Sequence, residues 1–288
     1  MKRAVVFGGA GFLGSHVAEE LLKNGYQVTV FDKEKTPFIP KGATFIKGDI
    51  LNARAVAKAV PPKSIVYNFA AIMSIKTCSE EPAAAITVNV LGNINVLEAC
   101  VKAKCEKFVY ASSLYVNSKQ GSFYRISKHA SEMIVEEYSR QYGLPYVILR
   151  YGSLYGPRAD ARNGVYRFIR EGLRRGAVKH FGSIRDTRAF VHVRDSARAS
   201  VEILKRNYAN SIYLITGPQE LRVIDVIASI GTLLKKRLKV EFMSSTLNYG
   251  ASPFSYEFRK GKVFSTKGFV KIQKALPSLI EEAQTRKS

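Results

Sequence analysis

Cysteine is scarce in this 288-residue chain, which contains only three: Cys78, Cys100 and Cys105. Their spacing matches no paired metal-ligand pattern, and three thiols are too few for a disulfide framework in a chain of this length. We therefore expect reduced, structural cysteines and no metal site.

Long hydrophobic runs are also missing from the sequence. No apolar stretch comes near the roughly 20 residues that a membrane-spanning helix needs, and the start Met1-Lys2-Arg3 leads into a predicted strand instead of a signal peptide. With 46% hydrophobic residues, the chain can still bury a substantial core. These features predict a folded cytoplasmic protein without a membrane segment.

Acidic residues are few compared with basic ones: 23 Asp and Glu against 45 Lys and Arg give a formal net charge of +22. A charge of this size attracts polyanions, so nucleic acid is a candidate partner. However, the basic residues are spread along most of the chain, and no helix-turn-helix, zinc-finger or RNA-binding motif accompanies them. A phosphorylated small molecule is therefore favoured over nucleic acid, although it leaves most of the charge unexplained.

Short β-rich runs alternate with helical stretches in the first half of the chain. The predicted strands lie near 4–7, 27–31, 44–46, 64–68, 107–111 and 146–149, and the later helices near 52–60, 84–104 and 124–142. Repeated crossovers of this kind predict an α/β fold with a doubly wound parallel (Rossmann) sheet. We expect residues 1–150 to form a dinucleotide-binding domain and 151–288 mainly a smaller substrate-binding lobe. Segments near 189–194 and 211–216 are expected to return to the main sheet.

A glycine-rich loop joins the first predicted strand to the first helix. Glycines there allow a tight turn, close approach of a pyrophosphate to the backbone and close packing of helix on sheet. The helix N-terminus adds free N–H groups and a favourable dipole for phosphates. The predicted cofactor contacts in this loop are Gly8, Gly11, Phe12, Leu13 and Gly14.

Asp32 ends the second predicted strand, where a carboxylate can accept hydrogen bonds from the adenosine ribose. Its charge would repel a 2′-phosphate, so NAD is favoured over NADP, a preference that Lys33 and Lys35 weaken. Asp49 and Ile50 follow the third strand and are positioned to meet the adenine. Alternatively, Asp49 is the N-cap of a helix that begins near residue 52.

Tyr124 and Lys128 are four residues apart in a predicted helix, so both side chains lie on one face. A nearby ammonium favours the phenolate and lowers the tyrosine pKa toward values useful for proton transfer. Alone, this spacing is also that of an ordinary surface pair. Its place after a strand that ends in Ser112-Ser113 favours a general acid/base.

Ser113 ends the fifth predicted strand, at the sheet edge where open α/β folds bind ligands. Its hydroxyl can donate a hydrogen bond to a substrate carbonyl or alkoxide. Ser112 is the alternative donor, and both serines could instead cap a turn.

Together these motifs resemble the extended short-chain dehydrogenase/reductases, specifically the NAD-dependent nucleotide-sugar epimerase/dehydratase family. The resemblance extends over most of the chain. It rests on the glycine loop, Asp32, Asn68-Phe69-Ala70-Ala71, Asn89, Ser112-Ser113, the Tyr124/Lys128 pair, the segment 149–158 and the segment 188–195.

The resemblance implies roles for individual residues. Tyr124 would be the acid/base, Lys128 would hold the nicotinamide ribose, and Ser113 would bind the reacting oxygen. It also implies that Arg188 approaches the substrate diphosphate, which a guanidinium matches in shape. The remaining predicted contacts are Ala70, Ala71, Asn89 and Tyr151 for the cofactor, and Ser153, Asn163 and Arg259 for the substrate. Asn163 and Arg259 could instead be solvated loop residues.

Three departures from the family pattern narrow the chemistry. Dehydratases of the family place Asp-Glu after the catalytic threonine, and decarboxylases place a glutamate two positions beyond it, whereas Leu114-Tyr115 follows Ser113. Ser153 replaces the family asparagine before the Tyr-Gly-Pro turn. The segment between Ser113 and Tyr124 is also shorter than is usual in sugar epimerases.

The sequence thus predicts an NAD-dependent epimerase that acts on a nucleotide-diphosphate sugar through a transient ketone. One alternative is a net ketoreductase or dehydrogenase of a sugar or related alcohol. Another is a non-catalytic protein that senses a dinucleotide. The resemblance further implies a homodimer through the helices near 84–104 and 124–142, either of which could instead only cover the sheet.

Overall fold

A computed structural model describes residues 2–118, 120–205, 208–218, 220–243, 261–264 and 268–286. The strands are β1 (Arg3–Phe7), β2 (Gln27–Asp32), β3 (Thr44–Lys47), β4 (Ile65–Asn68), β5 (Lys107–Ser113), β6 (Tyr146–Tyr151), β7 (Ser153–Tyr155), β8 (Ala177–Phe181), β9 (Thr187–His192), β10 (Ser211–Ile215), β11 (Glu220–Arg222), β12 (Lys239–Met243) and β13 (Lys262–Val263). The helices are α1 (Phe12–Lys23), α2 (Ala53–Ala59), α3 (Ile75–Glu80), α4 (Pro82–Ile86), α5 (Gly92–Lys102), α6 (Ser122–Tyr142), α7 (Gly164–Arg175), α8 (Val193–Lys205), α9 (Val223–Leu233) and α10 (Ile272–Thr285).

Eight strands form one sheet in the order β13-β10-β6-β5-β4-β1-β2-β3. Every pairing in it is parallel. The order reverses at β1, and such a reversal creates the crevice where open α/β sheets bind ligands. The predicted doubly wound sheet is therefore confirmed.

Each face of this sheet is covered by helices because its strands are apolar on both sides. Alternate side chains such as Val109 and Ala111 pack with α1 and α8. Their neighbours Phe108 and Tyr110 pack with α2, α5 and α6 on the other face. The carboxyl ends of β1, β4 and β5 thereby meet at one edge, beside the N-termini of α1 and α6.

The later strands divide between the main sheet and two small ones. β10 pairs with β6, so the segment expected near 211–216 does join the main sheet. The expectation that the segment 189–194 returns to the main sheet is wrong. Its strand β9 pairs instead with β7 and β11 in a separate three-stranded sheet. Gly152, between β6 and β7, allows β9 to approach closely, because a Cβ there would be only 2.4 Å from the Ala189 carbonyl oxygen. A third cluster, from α7, α9 and α10, forms the core of this later region.

Among the described residues, the continuous helix Pro82–Lys102 is long and apolar enough, by length and composition, to cross a membrane. The expectation that no stretch approaches this length is therefore wrong. The helix packs Val96 and Leu97 into the core and buries Asn89 and Asn93 in hydrogen bonds. Core helices of globular proteins pass the same test of length and composition.

Candidate active site

The glycine loop between β1 and α1 has no room for side chains at three of its glycines, Gly8, Gly9 and Gly14. At Gly8, which has φ of +71°, a Cβ would lie 2.6 Å from the Ala70 nitrogen, and at Gly14 it would lie 2.2 Å from the Gly8 carbonyl oxygen. Gly11 is exposed, and only that same oxygen lies near its Cβ position. The loop therefore packs tightly inward and leaves its backbone open outward at Gly11.

Helix α1 begins at Gly11 without a side-chain cap. The first-turn N–H groups, including those of Phe12 and Leu13, have no intrahelical acceptor, and the helix dipole makes this end positive. The two side chains pack with the core. Phe12 and Leu13 thus offer an anion their backbone, not their side chains.

Asp32 lies beside this loop at the end of β2. Its Oδ2 accepts a hydrogen bond from the Ala10 nitrogen at 3.0 Å. A carboxylate has about four acceptor sites, so capacity remains for ribose hydroxyls. Lys33, which could otherwise attract a 2′-phosphate, pairs instead with Asp49 at 3.0 Å.

Asp49 is not the N-cap of α2, because Asn52 occupies that position and accepts from the Ala55 nitrogen. Asp49 instead accepts from the Leu51 nitrogen at 2.9 Å. Burial raises the pKa of Asp49, but this bond and Lys33 lower it by more. Ile50 is buried in the core, 5% exposed. Asp49 and Ile50 are thus both held in place, with Asp49 as the polar side chain of the two and Ile50 as the buried apolar one.

Asn89 acts on the segment after β4 instead of facing a ligand. Its amide is 2% exposed; it accepts from the Ile72 nitrogen at 2.7 Å and donates to the Ile72 carbonyl and to Ser127 Oγ. The half-buried Ala70 and Ala71 precede that clamp. Asn89 therefore fixes the course of the loop that carries them.

Ser113, Tyr124 and Lys128 come together at the carboxyl end of β5. The Ser113 hydroxyl lies close enough to the Tyr124 phenol to lower its pKa. The Lys128 ammonium donates to the Ala111 carbonyl at 2.8 Å and lies 6.0 Å from the centroid of the Tyr124 ring. The described contacts favour Ser113 over Ser112, whose buried hydroxyl has no partner among the described residues.

The two ionisable groups of this set are shifted by burial in opposite directions. Burial raises the pKa of Tyr124, while the nearby Ser113 hydroxyl acts in the opposite direction. Burial lowers the pKa of Lys128 to about 8, against smaller raising effects of Cys78 and Glu132. The expected lowering of the Tyr124 pKa by Lys128 is therefore not produced by these residues alone, because desolvation outweighs a cation at this distance.

A sequence model of the NAD dependent epimerase/dehydratase family matches residues 4–216 of the chain. This match spans the glycine loop, the serine, the tyrosine and the lysine. The chain belongs to this family. Membership confirms the predicted class of enzyme and the NAD cofactor.

Two relatives and a solved structure illustrate the relationship. The chain is 35% identical to a putative UDP-glucose 4-epimerase of Methanocaldococcus jannaschii over 244 residues, which is 76% of this chain and 78% of the relative. It is 31% identical to a UDP-N-acetyl-alpha-D-glucosaminuronate decarboxylase of Bacillus cytotoxicus over 268 residues, 83% of this chain and 82% of that one. The structure of Thermus thermophilus UDP-glucose 4-epimerase in complex with NAD aligns with a TM-score of 0.82 at 27% identity, covering 98% of this chain and 99% of that one.

The residues present fit the cofactor of the family. Gly11 leaves the loop backbone accessible, and the uncapped start of α1 can receive the pyrophosphate. The Asp32 carboxylate lies beside this loop, where it can accept hydrogen bonds from a ribose. Tyr151, in contrast, places its hydroxyl in the core, 2.7 Å from Ser200 Oγ. Its expected cofactor contact can therefore not use the hydroxyl.

The predicted substrate residues are only partly together. Arg188 on β9 reaches toward the catalytic end, where its Nη1 donates to the Tyr115 hydroxyl at 2.9 Å. Asn163 is the N-cap of α7; it accepts from the Val165 and Tyr166 nitrogens and donates to the Leu154 carbonyl. Asn163 is therefore not a solvated loop residue, and its substrate contact stays a prediction. Ser153 is half-buried on β7, and Arg259 lies outside the described residues.

Sequence reasoning missed a buried ion pair behind the catalytic helix. Arg150 on β6 donates from Nε and Nη2 to the two Glu132 oxygens at 2.8 and 2.6 Å, and from Nη1 to Asn117. The two charged side chains are 1% and 0% exposed. An arginine within an apolar strand requires a buried partner, and Glu132, four residues after Lys128, is on the same helix face. Arg150 in an apolar strand, together with Glu132 four residues after Lys128, was the sequence signal that could have predicted this ion pair.

Proposed function

We propose that the chain is an NAD-dependent 4-epimerase of a UDP-sugar. The observation that carries the proposal is the meeting of Ser113, Tyr124 and Lys128 at the carboxyl end of β5, on the sheet edge that also holds the glycine loop. The Thermus thermophilus enzyme supports UDP-glucose as a first substrate to test.

Tyr124 performs the proton transfer in this mechanism. Its phenolate removes the proton of the sugar hydroxyl, and its phenol returns that proton after the carbon has been inverted. Ser113 donates a hydrogen bond to the same oxygen while it is a ketone. Lys128, held on the Ala111 carbonyl, keeps a positive charge near the phenolate. NAD, which the glycine loop, the start of α1 and Asp32 would hold, would supply the hydride acceptor and donor for this chemistry.

Substrate binding is proposed to use the later region of the chain. Arg188 is half-buried and its charge faces the catalytic end through Tyr115, which suits a diphosphate. Ser153, the residue in place of the family asparagine, is proposed as a smaller polar contact. Arg259 is retained as a second cation for the same phosphates.

We further propose that the enzyme is a cytoplasmic homodimer that does not depend on nucleic acid or a membrane. Support for the dimer comes from large apolar side chains that are exposed on the two predicted helices, namely Leu91, Phe123, Ile126 and Met133. Such side chains are typical of an interface. The basic charge is proposed to serve anionic substrates.

The deciding experiment is proton NMR of UDP-glucose, UDP-N-acetylglucosamine and UDP-glucuronate incubated with enzyme and NAD. The proposal expects a C4 epimer without net accumulation of reduced nicotinamide. Tyr124→Phe should lower kcat by about 10²- to 10⁴-fold, because it removes the acid/base, while NAD still binds. Stoichiometric reduced nicotinamide would favour the dehydrogenase alternative, and no product from any substrate would favour the dinucleotide sensor.

The Bacillus cytotoxicus relative raises decarboxylation of a UDP-uronate as a second candidate. Tyr115 stands two positions after Ser113, where decarboxylases of the family carry a glutamate, which supports the epimerase instead. Carbon dioxide released from UDP-glucuronate, measured in the same incubations, would reverse this order.

A further inference from the structure

Tyr115 lies in the short 3₁₀ helix Leu114–Asn117, directly after the catalytic serine. Its backbone nitrogen donates to Ser113 Oγ at 3.3 Å, and its carbonyl accepts from the Ser118 nitrogen at 2.9 Å. The ring packs against Gly121, where a Cβ would lie 3.1 Å from Tyr115 Cδ1. Since Gly121 has φ of +96°, the turn before α6 also requires glycine. The short connection therefore holds the Tyr115 ring in a defined place.

Two functional side chains meet on this ring. The rings of Tyr115 and Tyr124 pack edge to face, with centroids 6.5 Å apart and planes at 79°. The Arg188 guanidinium carbon lies 6.0 Å from the Tyr115 centroid, and Nη1 donates to the hydroxyl. Tyr115 thus links the acid/base to the arginine proposed for the diphosphate.

We infer that Tyr115 is a positioning residue that orients Arg188 for the substrate diphosphate. The inference rests on the proposed function. An unrestrained arginine loses much rotamer freedom when it binds phosphate, and a side chain held in place beforehand loses less. Tyr115 is a neutral acceptor that occupies one of the five guanidinium N–H groups. Because this partner is neutral, it does not cancel the positive charge of Arg188 that would attract a diphosphate.

Tyr115→Phe is the specific test, because it removes the hydroxyl and keeps the ring that contacts Tyr124. Calorimetry with UDP on the NAD-bound enzyme should show about three- to tenfold weaker affinity, the range for one neutral hydrogen bond. KM for the UDP-sugar should rise by a similar factor, and kcat should stay within about twofold. The matched control is Tyr26→Phe, at the opposite end of β2, which should change neither quantity.

A double-mutant cycle with Arg188→Lys separates this role from general damage. If Tyr115 acts through Arg188, Tyr115→Phe should have little further effect on UDP affinity in the Arg188→Lys background. Equal effects in both backgrounds would overturn the inference, as would unchanged or tighter UDP binding in Tyr115→Phe. A wild-type enzyme that binds NAD but not UDP would instead overturn the proposed function, and the inference with it.

Discussion

Among single residues, Lys128 has the strongest conflict between stability and function. Its ammonium is 4% exposed, and the carbonyl of Ala111 accepts its hydrogen bond. Burial lowers its pKa to about 8 from an ordinary value of 10.5, so the folded protein binds this proton less tightly than the unfolded chain does. The charged form therefore destabilises the fold at all pH values below about 8, and the destabilisation fades as the pH rises toward 10.5.

Lys128→Met should consequently stabilise the protein at pH 7, by an amount on the order of 2 kcal/mol, while it abolishes most activity. At pH 10 the stabilisation should be nearly gone. Urea unfolding at the two pH values measures the difference. Lys107→Met, on β5 but half-buried, is the control and should show a smaller gain. Equal stability of wild type and Lys128→Met at pH 7 would contradict the argument.

Helix α6 contributes the glutamate of two glutamate–arginine pairs, one buried and one exposed. Glu132 and Arg150 are almost completely buried, whereas Glu137 and Arg140 are exposed by 47% and 72%. Breaking a buried pair leaves one charge without compensation and costs about 3–5 kcal/mol. Exposed pairs contribute little because water and salt screen them.

Glu132→Gln should therefore destabilise the protein by an amount in that range, whereas Glu137→Gln should have little effect. Because Arg150 joins α6 to β6 and to the Asn117 amide, Glu132→Gln should also lower kcat. Thermal unfolding and the epimerase assay test both effects. Similar stability of the two variants would show that burial does not govern these pairs.

Among the elements, the β1–α1 connection depends most strictly on its residues. A Cβ on Gly14 would meet the Gly8 carbonyl oxygen at 2.2 Å, whereas a Cβ on Gly164, at the start of α7, would meet nothing within 4 Å. Both glycines lie in the first turns of helices, so the comparison isolates the effect of packing.

Gly14→Ala should distort the loop and weaken NAD binding by about tenfold or more, a loss of at least about 1.4 kcal/mol. Gly164→Ala should leave NAD binding unchanged and slightly raise stability, because alanine favours helix. Fluorescence titration with NADH and thermal unfolding provide the two measurements. Normal NADH affinity in Gly14→Ala would mean that the loop can relax.

The elements of the main sheet were predictable because buried parallel strands appear as short apolar runs between helices. The apolar run over 146–149 is one example, and Gly25, which separates α1 from β2, marks such a boundary. The sheet joined by β9 was not predictable, because its partners β7 and β11 lie far from it in sequence and no local pattern specifies the pairing.

The candidate site divides in a similar way. Gly8, Asp32 and Tyr124 are found by spacing within local units, and the structure places all three at one edge. The capping role of Asn163 was not predictable, because a side chain that caps a helix and one that binds a sugar look alike in sequence. The contact between Arg188 and Tyr115 joins segments that are distant in sequence, so no local pattern predicts it.

For the molecule as a whole, the distribution of exposed apolar side chains distinguishes two surfaces. Ile126 and Met133 are exposed by 43% and 46%. They are seven residues apart on α6, so they lie on the same helical face. Leu91, just before α5, is a further exposed apolar residue. Ile184, exposed by 59%, lies in the later region between β8 and β9. If the homodimer forms through the long helices, only the first surface is buried on association.

Ile126→Glu should then convert the dimer to a monomer, because the symmetric interface would hold two unpaired carboxylates that lose their water. Ile184→Glu introduces the same charge at a more exposed site and should leave the dimer intact. Light scattering coupled to gel filtration gives the two masses directly. Since α6 also carries Tyr124 and Lys128, loss of the dimer should lower kcat as the helix loses support. A dimer that survives Ile126→Glu and dissociates with Ile184→Glu would place the interface on the later region instead.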